Sequence, residues 1–163
     1  MEIRLAKSAG FCFGVEKAMK KAYEQLEKNC GEKIYTFGPI IHNQEVVREL
    51  ESKGIQVIES AEELTGLKRG IIIIRSHGIS KEVNDIMNKS GLTLIDATCP
   101  FVKRIHNIVQ KESQNGRKII IIGNDGHPEV EGIKGWCLNK PVVIGSQEEA
   151  NNFTSGVNDG LCI

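Results

Sequence analysis

Two runs of four consecutive isoleucines, Ile71–Ile74 and residues 119–122, set the tightest constraint on what this chain can fold into. Successive side chains of a strand point to opposite faces, so an unbroken apolar run needs cover on both sides of its sheet. Shorter apolar segments at 34–37, 55–58, 92–95 and 142–144 repeat the theme, and helical periodicity fills the intervals. Residues 14–29 place Val15, Ala18, Met19, Ala22, Tyr23 and Leu26 on one face, and Gly31 follows as a stop. Residues 43–53 carry Val46, Val47 and Leu50 and end at Gly54; residues 80–89 open with an N-cap serine and end before Gly91. Residues 100–115 begin with Pro100 in a first-turn position and stop at Gly116. Strands alternating with helices predict an α/β fold built from mostly parallel sheets.

At 163 residues the chain can bury a core as one domain or as two small packed units. Lysine plus arginine and aspartate plus glutamate both number 21, so no broad pull toward nucleic acid or an anionic membrane is encoded. Any anion it binds must be held locally. No apolar run approaches the ~20 residues of a membrane span and the N-terminus lacks a signal-peptide core, which reads as a cytoplasmic protein. Five cysteines at irregular spacing, with no Cys-x-x-Cys, argue for reduced thiols, some available to a metal. The boundary between two α/β units is expected near residues 96–100, giving units over 1–96 and 97–163 with no linker between them. Residues 145–163 turn polar before Gly160-Leu161-Cys162-Ile163 reads as the start of a strand.

A polar residue lies just past the carboxyl end of each of four strands: His42, His77, Cys99 and His127. In open α/β sheets that edge binds ligands, because loops converge there and helix N-termini present free N–H groups. Cys99, in Asp96-Ala97-Thr98-Cys99-Pro100, sits at a helix start that favours the thiolate; the alternative is a cap residue that happens to be cysteine. Cys12, in Gly10-Phe11-Cys12-Phe13-Gly14, has the apolar walls and close backbone approach that an iron–sulfur cluster uses, or is a structural cysteine in a tight turn. The three loop histidines suit metal ligation, phosphate binding or acid–base work. Glu129, after His127-Pro128, either complements a helix dipole or donates a proton from a partly dry pocket. His106, mid-helix, reads as structural, and Cys30, Cys137 and Cys162 read as packing or surface residues.

Taken together, Gly10-Phe11-Cys12-Phe13-Gly14-Val15, Gly38-Pro39-Ile40-Ile41-His42-Asn43, Arg75-Ser76-His77-Gly78, Asp96-Ala97-Thr98-Cys99-Pro100 and Gly126-His127-Pro128-Glu129-Val130-Glu131-Gly132 closely resemble the 4-hydroxy-3-methylbut-2-enyl diphosphate reductase family. The resemblance implies the last step of non-mevalonate isoprenoid biosynthesis, in which an allylic hydroxyl is removed to give isopentenyl and dimethylallyl diphosphate. It implies that Cys12 and Cys99 are two of three thiolates holding a 4Fe-4S cluster. His42, His77 and His127 are then substrate-binding residues and Glu129 the acid that protonates the departing hydroxyl. Ferredoxin or flavodoxin is implied as the electron donor.

The family's fold is three pseudo-symmetric α/β lobes. Here residues 1–96 would supply an N-terminal strand, the Cys12 loop and the first lobe, and residues 97–163 an incomplete second. The third cysteine and a Ser-x-Asn diphosphate motif are absent from the sequence, so the chain reads as an N-terminal fragment with its third ligand expected beyond Ile163. Two other readings use the same residues: a zinc- or iron-dependent hydrolase, and a non-catalytic diphosphate-binding module.

Overall fold

A computed structural model describes residues 2–28, 31–155 and 160–163. Cys30 lies outside the described residues. Helix α1 (Phe13–Lys28) precedes β1 (Ile34–Phe37), α2 (Gln44–Ser52), β2 (Ile55–Ile58), α3 (Ala61–Thr65), β3 (Ile71–Ile74), α4 (Lys81–Lys89) and β4 (Thr93–Asp96). The chain continues through α5 (Pro100–Gln114), β5 (Lys118–Ile122), α6 (Pro128–Lys134), β6 (Val142–Ile144), α7 (Gln147–Asn152) and β7 (Leu161–Cys162). In place of the expected N-terminal strand, the first residues run as irregular chain, with Ile3 and Leu5 more than four-fifths exposed at 81% and 87%.

The first sheet has strand order β2-β1-β3-β4 and the second β6-β5-β7, with every pairing parallel. Around Ile71–Ile74 the side chains alternate between two cores as the pleat demands. Ile73 is buried in a cluster with Ala18, Met19 and Ala22 of α1 and Leu50 of α2, with Ile71 packed against it. Ile72 and Ile74 join Leu64 and Met87 on the opposite face. The four isoleucines are thus covered on both sides.

The second isoleucine run departs from that expectation. Ile119 and Ile121 pack against Val109 of α5 and Val130 and Ile133 of α6. Ile122, at the end of β5, is 67% exposed, although Ile120 on the same face of the strand is buried at 5%. Three short helices, α3, α6 and α7, carry too few apolar repeats to stand out by periodicity. Two of them are announced instead by caps, the Ser60 and Ser146 side chains accepting from the backbone N–H groups of Glu63 and Glu149.

Truncating Ile73 to alanine removes a completely buried side chain from the middle of the first core, and about 2–5 kcal/mol of unfolding free energy should be lost in urea titrations. Ile122→Ala should stay within about 0.5 kcal/mol of the parent; equal losses at both positions would contradict the packing described.

Candidate functional site

Strand order places the candidate residues. In the first sheet the chain leaves β1 for β2 on one side and returns to β3 on the other, so the loops after β1 and β3 diverge and open a crevice at their carboxyl ends. His42 follows β1 and His77 follows β3. In the second sheet β5 is central, with β6 and β7 on its two sides, and His127 follows β5.

The three imidazoles converge across the two sheets. Ring centroids lie 4.2 Å apart for His42 and His77, 5.7 Å for His42 and His127, and 6.1 Å for His77 and His127. Burial drives the His77 pKa down to about 4, with the neighbouring His42, Arg75 and His127 charges adding to the effect. His77 is therefore neutral at physiological pH, and its buried Nδ1 has no partner. His127 is the N-cap of α6, its Nδ1 accepting from the Glu129 N–H at 3.2 Å. That bond puts the proton of the neutral ring on Nε2. Glu129 is half-buried in the first turn of α6 and, with His127, lines a 630 Å³ cavity whose other walls are largely apolar, among them Ile105, Ile108 and Ile120.

Ser76, itself 4% exposed, holds three exit loops together. Its backbone N–H and its hydroxyl both donate to the Ile40 carbonyl, at 3.2 and 3.1 Å, and its carbonyl accepts from the Cys99 N–H at 2.9 Å. Cys99 is the N-cap of α5 but makes no side-chain capping bond, so its thiol is uncommitted. The Cys12 loop is pressed against it. A methyl group added at Gly14 would lie 2.6 Å from the Cys99 Sγ, which identifies the bulky neighbour that the glycine-flanked motif calls for. Cys12 itself is exposed, and Phe11 and Phe13 are 51% and 62% exposed, so they line the loop without closing over the thiol. Among the described residues no three His, Cys, Asp or Glu side chains are grouped to hold a metal ion on their own.

His106 is structural, as its mid-helix setting implies. Its ring is buried, stacks on Trp136 at 5.5 Å with a 19° tilt, and leaves Nε2 without a partner. Burial pushes its pKa down to about 4, with Lys103 acting in the same sense and Asp96 against it. The residues after His77 form a seam with the second unit. A methyl group at Gly78, whose φ is +74°, would meet the His106 Cε1 at 2.6 Å. The Ile79 carbonyl accepts from Trp136 Nε1 at 2.8 Å, and a methyl at Gly135 would meet the Ser80 Cβ at 2.3 Å. Cys137 and Cys162 pack against the core of the second sheet. Ser76 and the seam are positioning features that carry no motif chemistry; Gly78, directly after a histidine, is the one local signal for them.

Fold and site together define a parallel α/β protein that gathers imidazoles, a carboxyl group and two thiols at the exit edges of two sheets. A model of the LytB protein family matches residues 3–162, and the chain belongs to that family. It is 49% identical over 153 residues to a 4-hydroxy-3-methylbut-2-enyl diphosphate reductase of Caldanaerobacter subterraneus subsp. tengcongensis, covering 94% of this chain and 53% of the relative. It is 44% identical over 163 residues to the reductase of Alkaliphilus oremlandii, covering 100% of this chain and 57% of that protein. Among solved structures, the E-1-hydroxy-2-methyl-but-2-enyl-4-diphosphate reductase from Plasmodium falciparum superimposes with a TM-score of 0.86 at 32% identity, over 95% of this chain and 48% of that one. A structure of (E)-4-hydroxy-3-methyl-but-2-enyl diphosphate reductase gives a TM-score of 0.76 at 41% identity, over 92% and 53%. The chain spans about half the length of the curated relatives it matches.

His77 and His106 give stability a defined pH dependence. Folded pKa values of about 4 lie below the ordinary value of about 6.5. Between these limits the unfolded chain binds more protons, so stability is full above about pH 6.5 and falls as pH drops toward 4. The His106 contribution is on the order of 3 kcal/mol. Urea midpoints measured across this range should decline with acidification, and His106→Gln should flatten the decline; an unchanged slope in that variant would show that His106 does not stay neutral in the fold.

Proposed function

We propose that this chain carries the catalytic carboxyl, the substrate-binding imidazoles and two of the cluster thiolates of a 4-hydroxy-3-methylbut-2-enyl diphosphate reductase. The observation that carries the reading is the convergence of His42, His77 and His127 beside Glu129, in a member of the LytB family. In the reaction the allylic carbon–oxygen bond breaks, two electrons and two protons enter, and the hydroxyl leaves as water, giving isopentenyl and dimethylallyl diphosphate.

The thiol pair fits an iron–sulfur cluster in two respects and falls short in a third. Cys99 Sγ is free of any capping bond, and Gly14 leaves room for the Cys12 loop beside it. Two thiolates are one fewer than a three-cysteine mount needs. Cys12 and Cys99 would hold the cluster together with a further thiolate, and the cluster when bound would supply electrons and a Lewis-acidic iron.

The remaining chemistry belongs to the chain's own side chains. Imidazole N–H groups at the strand exits bind the diphosphate as neutral or charged donors, which suits a chain with no net charge. His77, kept neutral by burial, binds without adding a full positive charge beside its two neighbours. The Nδ1 bond to the α6 backbone fixes the His127 ring so that Nε2–H is its free donor. Glu129, half-buried beside that donor, holds the proton given to the departing hydroxyl oxygen.

Glu129→Gln in the complete reductase should retain cluster and substrate binding and lose roughly 10²-fold or more in turnover; parent-like rates would remove Glu129 from the mechanism. Anaerobic reconstitution of the 163-residue chain should give less than stoichiometric iron and sulfide. Stoichiometric zinc with no acid-labile sulfide in the complete protein would instead favour a hydrolase.

A further inference from the structure

Helices α1 and α5 each begin beside a cysteine, Cys12 and Cys99, and residues of both line one groove. The groove between them, about 540 Å³ in volume, is lined by Lys17, Lys21, Lys103 and Arg104 and by a single carboxylate, Asp96. Both Asp96 oxygens are already engaged: Oδ1 accepts from the Thr98 N–H at 2.9 Å, and Oδ2 pairs with Lys103 at 2.6 Å. Lys21 donates to the Asp96 carbonyl. Lys17 and Arg104 are exposed and have no hydrogen-bond or ion-pair partner among the described residues. In a chain of zero net charge this is a segregated positive patch.

Its position gives the patch meaning. Lys17 lies five residues after Cys12, and Lys103 and Arg104 lie four and five after Cys99, roughly 6–8 Å of helix rise in each case. Each of these cations is thus within about two helical turns of the thiol at the start of its own helix. Exposed, flexible side chains of this kind do not enclose a small anion. They suit a transient, salt-screened encounter with a large acidic surface, where such charges steer association. We propose that the α1–α5 groove is the docking surface for the acidic face of a one-electron carrier protein; this rests on the reductase reading.

The test is binding, measured on the full 163-residue chain. An acidic ferredoxin is titrated at low and at high ionic strength against the parent, Lys17→Glu/Arg104→Glu, and a remote control, Lys68→Glu. Among the described residues neither Lys17 nor Arg104 makes a hydrogen bond or ion pair, and circular dichroism checks that the double variant is folded. The expected result is salt-sensitive binding by the parent, at least about tenfold weaker in the double variant and unchanged in the control. Absence of salt-sensitive binding, equal loss in the control, or equally tight binding of a short duplex DNA would each overturn the proposal. Inorganic diphosphate, titrated against the parent and His42→Ala, tests the reductase reading separately: if both bind alike, that reading fails while the ferredoxin titration still decides the docking surface.

Discussion

Ser76 is the point on which the site depends. Its backbone and hydroxyl donate to Ile40, and its carbonyl accepts from Cys99, so one buried residue ties together the loops after β1, β3 and β4. Parallel strands deliver three loops to the same edge, but delivery alone leaves each loop free to wander. The stitch fixes where His42 stands relative to His77 and where both stand relative to the α5 N-terminus. A buried residue that makes three hydrogen bonds is costly to disturb, because any one left unmade leaves a desolvated atom behind.

Much of the architecture was legible because it is local. Isoleucine runs, glycine stops, a serine cap and Pro100 act over a few residues, and the long helices and buried strands follow within a residue or two. The exposure of Ile122 is not legible in the run, because it shares a face with the buried Ile120 and differs in standing at the strand's end, where cover depends on tertiary packing. The site residues stand out singly, the histidines and Cys12 in glycine-marked turns and Cys99 before Pro100. Their distances from one another were not legible, since those depend on strand order and on backbone bonds such as that from Cys99 to Ser76. The contact between Gly14 and Cys99 is intermediate: the motif signals a close approach without naming the neighbour.

Electrostatics explain how three imidazoles share one site in a chain of zero net charge. Three imidazoles within about 6 Å would repel if all were protonated, and the fold resolves this by burying His77 so that it stays neutral. His127 spends one nitrogen on the α6 backbone and keeps one for a ligand. Positive charge gathers in a different groove, lined by Lys17, Lys21, Lys103 and Arg104 and by none of the three imidazoles.

The seam formed by residues 78–80 has an evolutionary corollary. Gly78 abuts the His106 ring, the Ile79 carbonyl is held by Trp136, and Ser80 abuts Gly135, so three successive residues touch the second unit with almost no slack. At Gly78 the left-handed backbone, φ +74°, strains any larger side chain whatever stands at position 106, and a methyl at Gly135 would meet the Ser80 Cα at 2.8 Å as well as its Cβ. Both glycines are therefore held by backbone, and no smaller neighbour makes room for growth at either. Sequence divergence between the two units is constrained most tightly beside His77, at residues that take no part in the chemistry themselves.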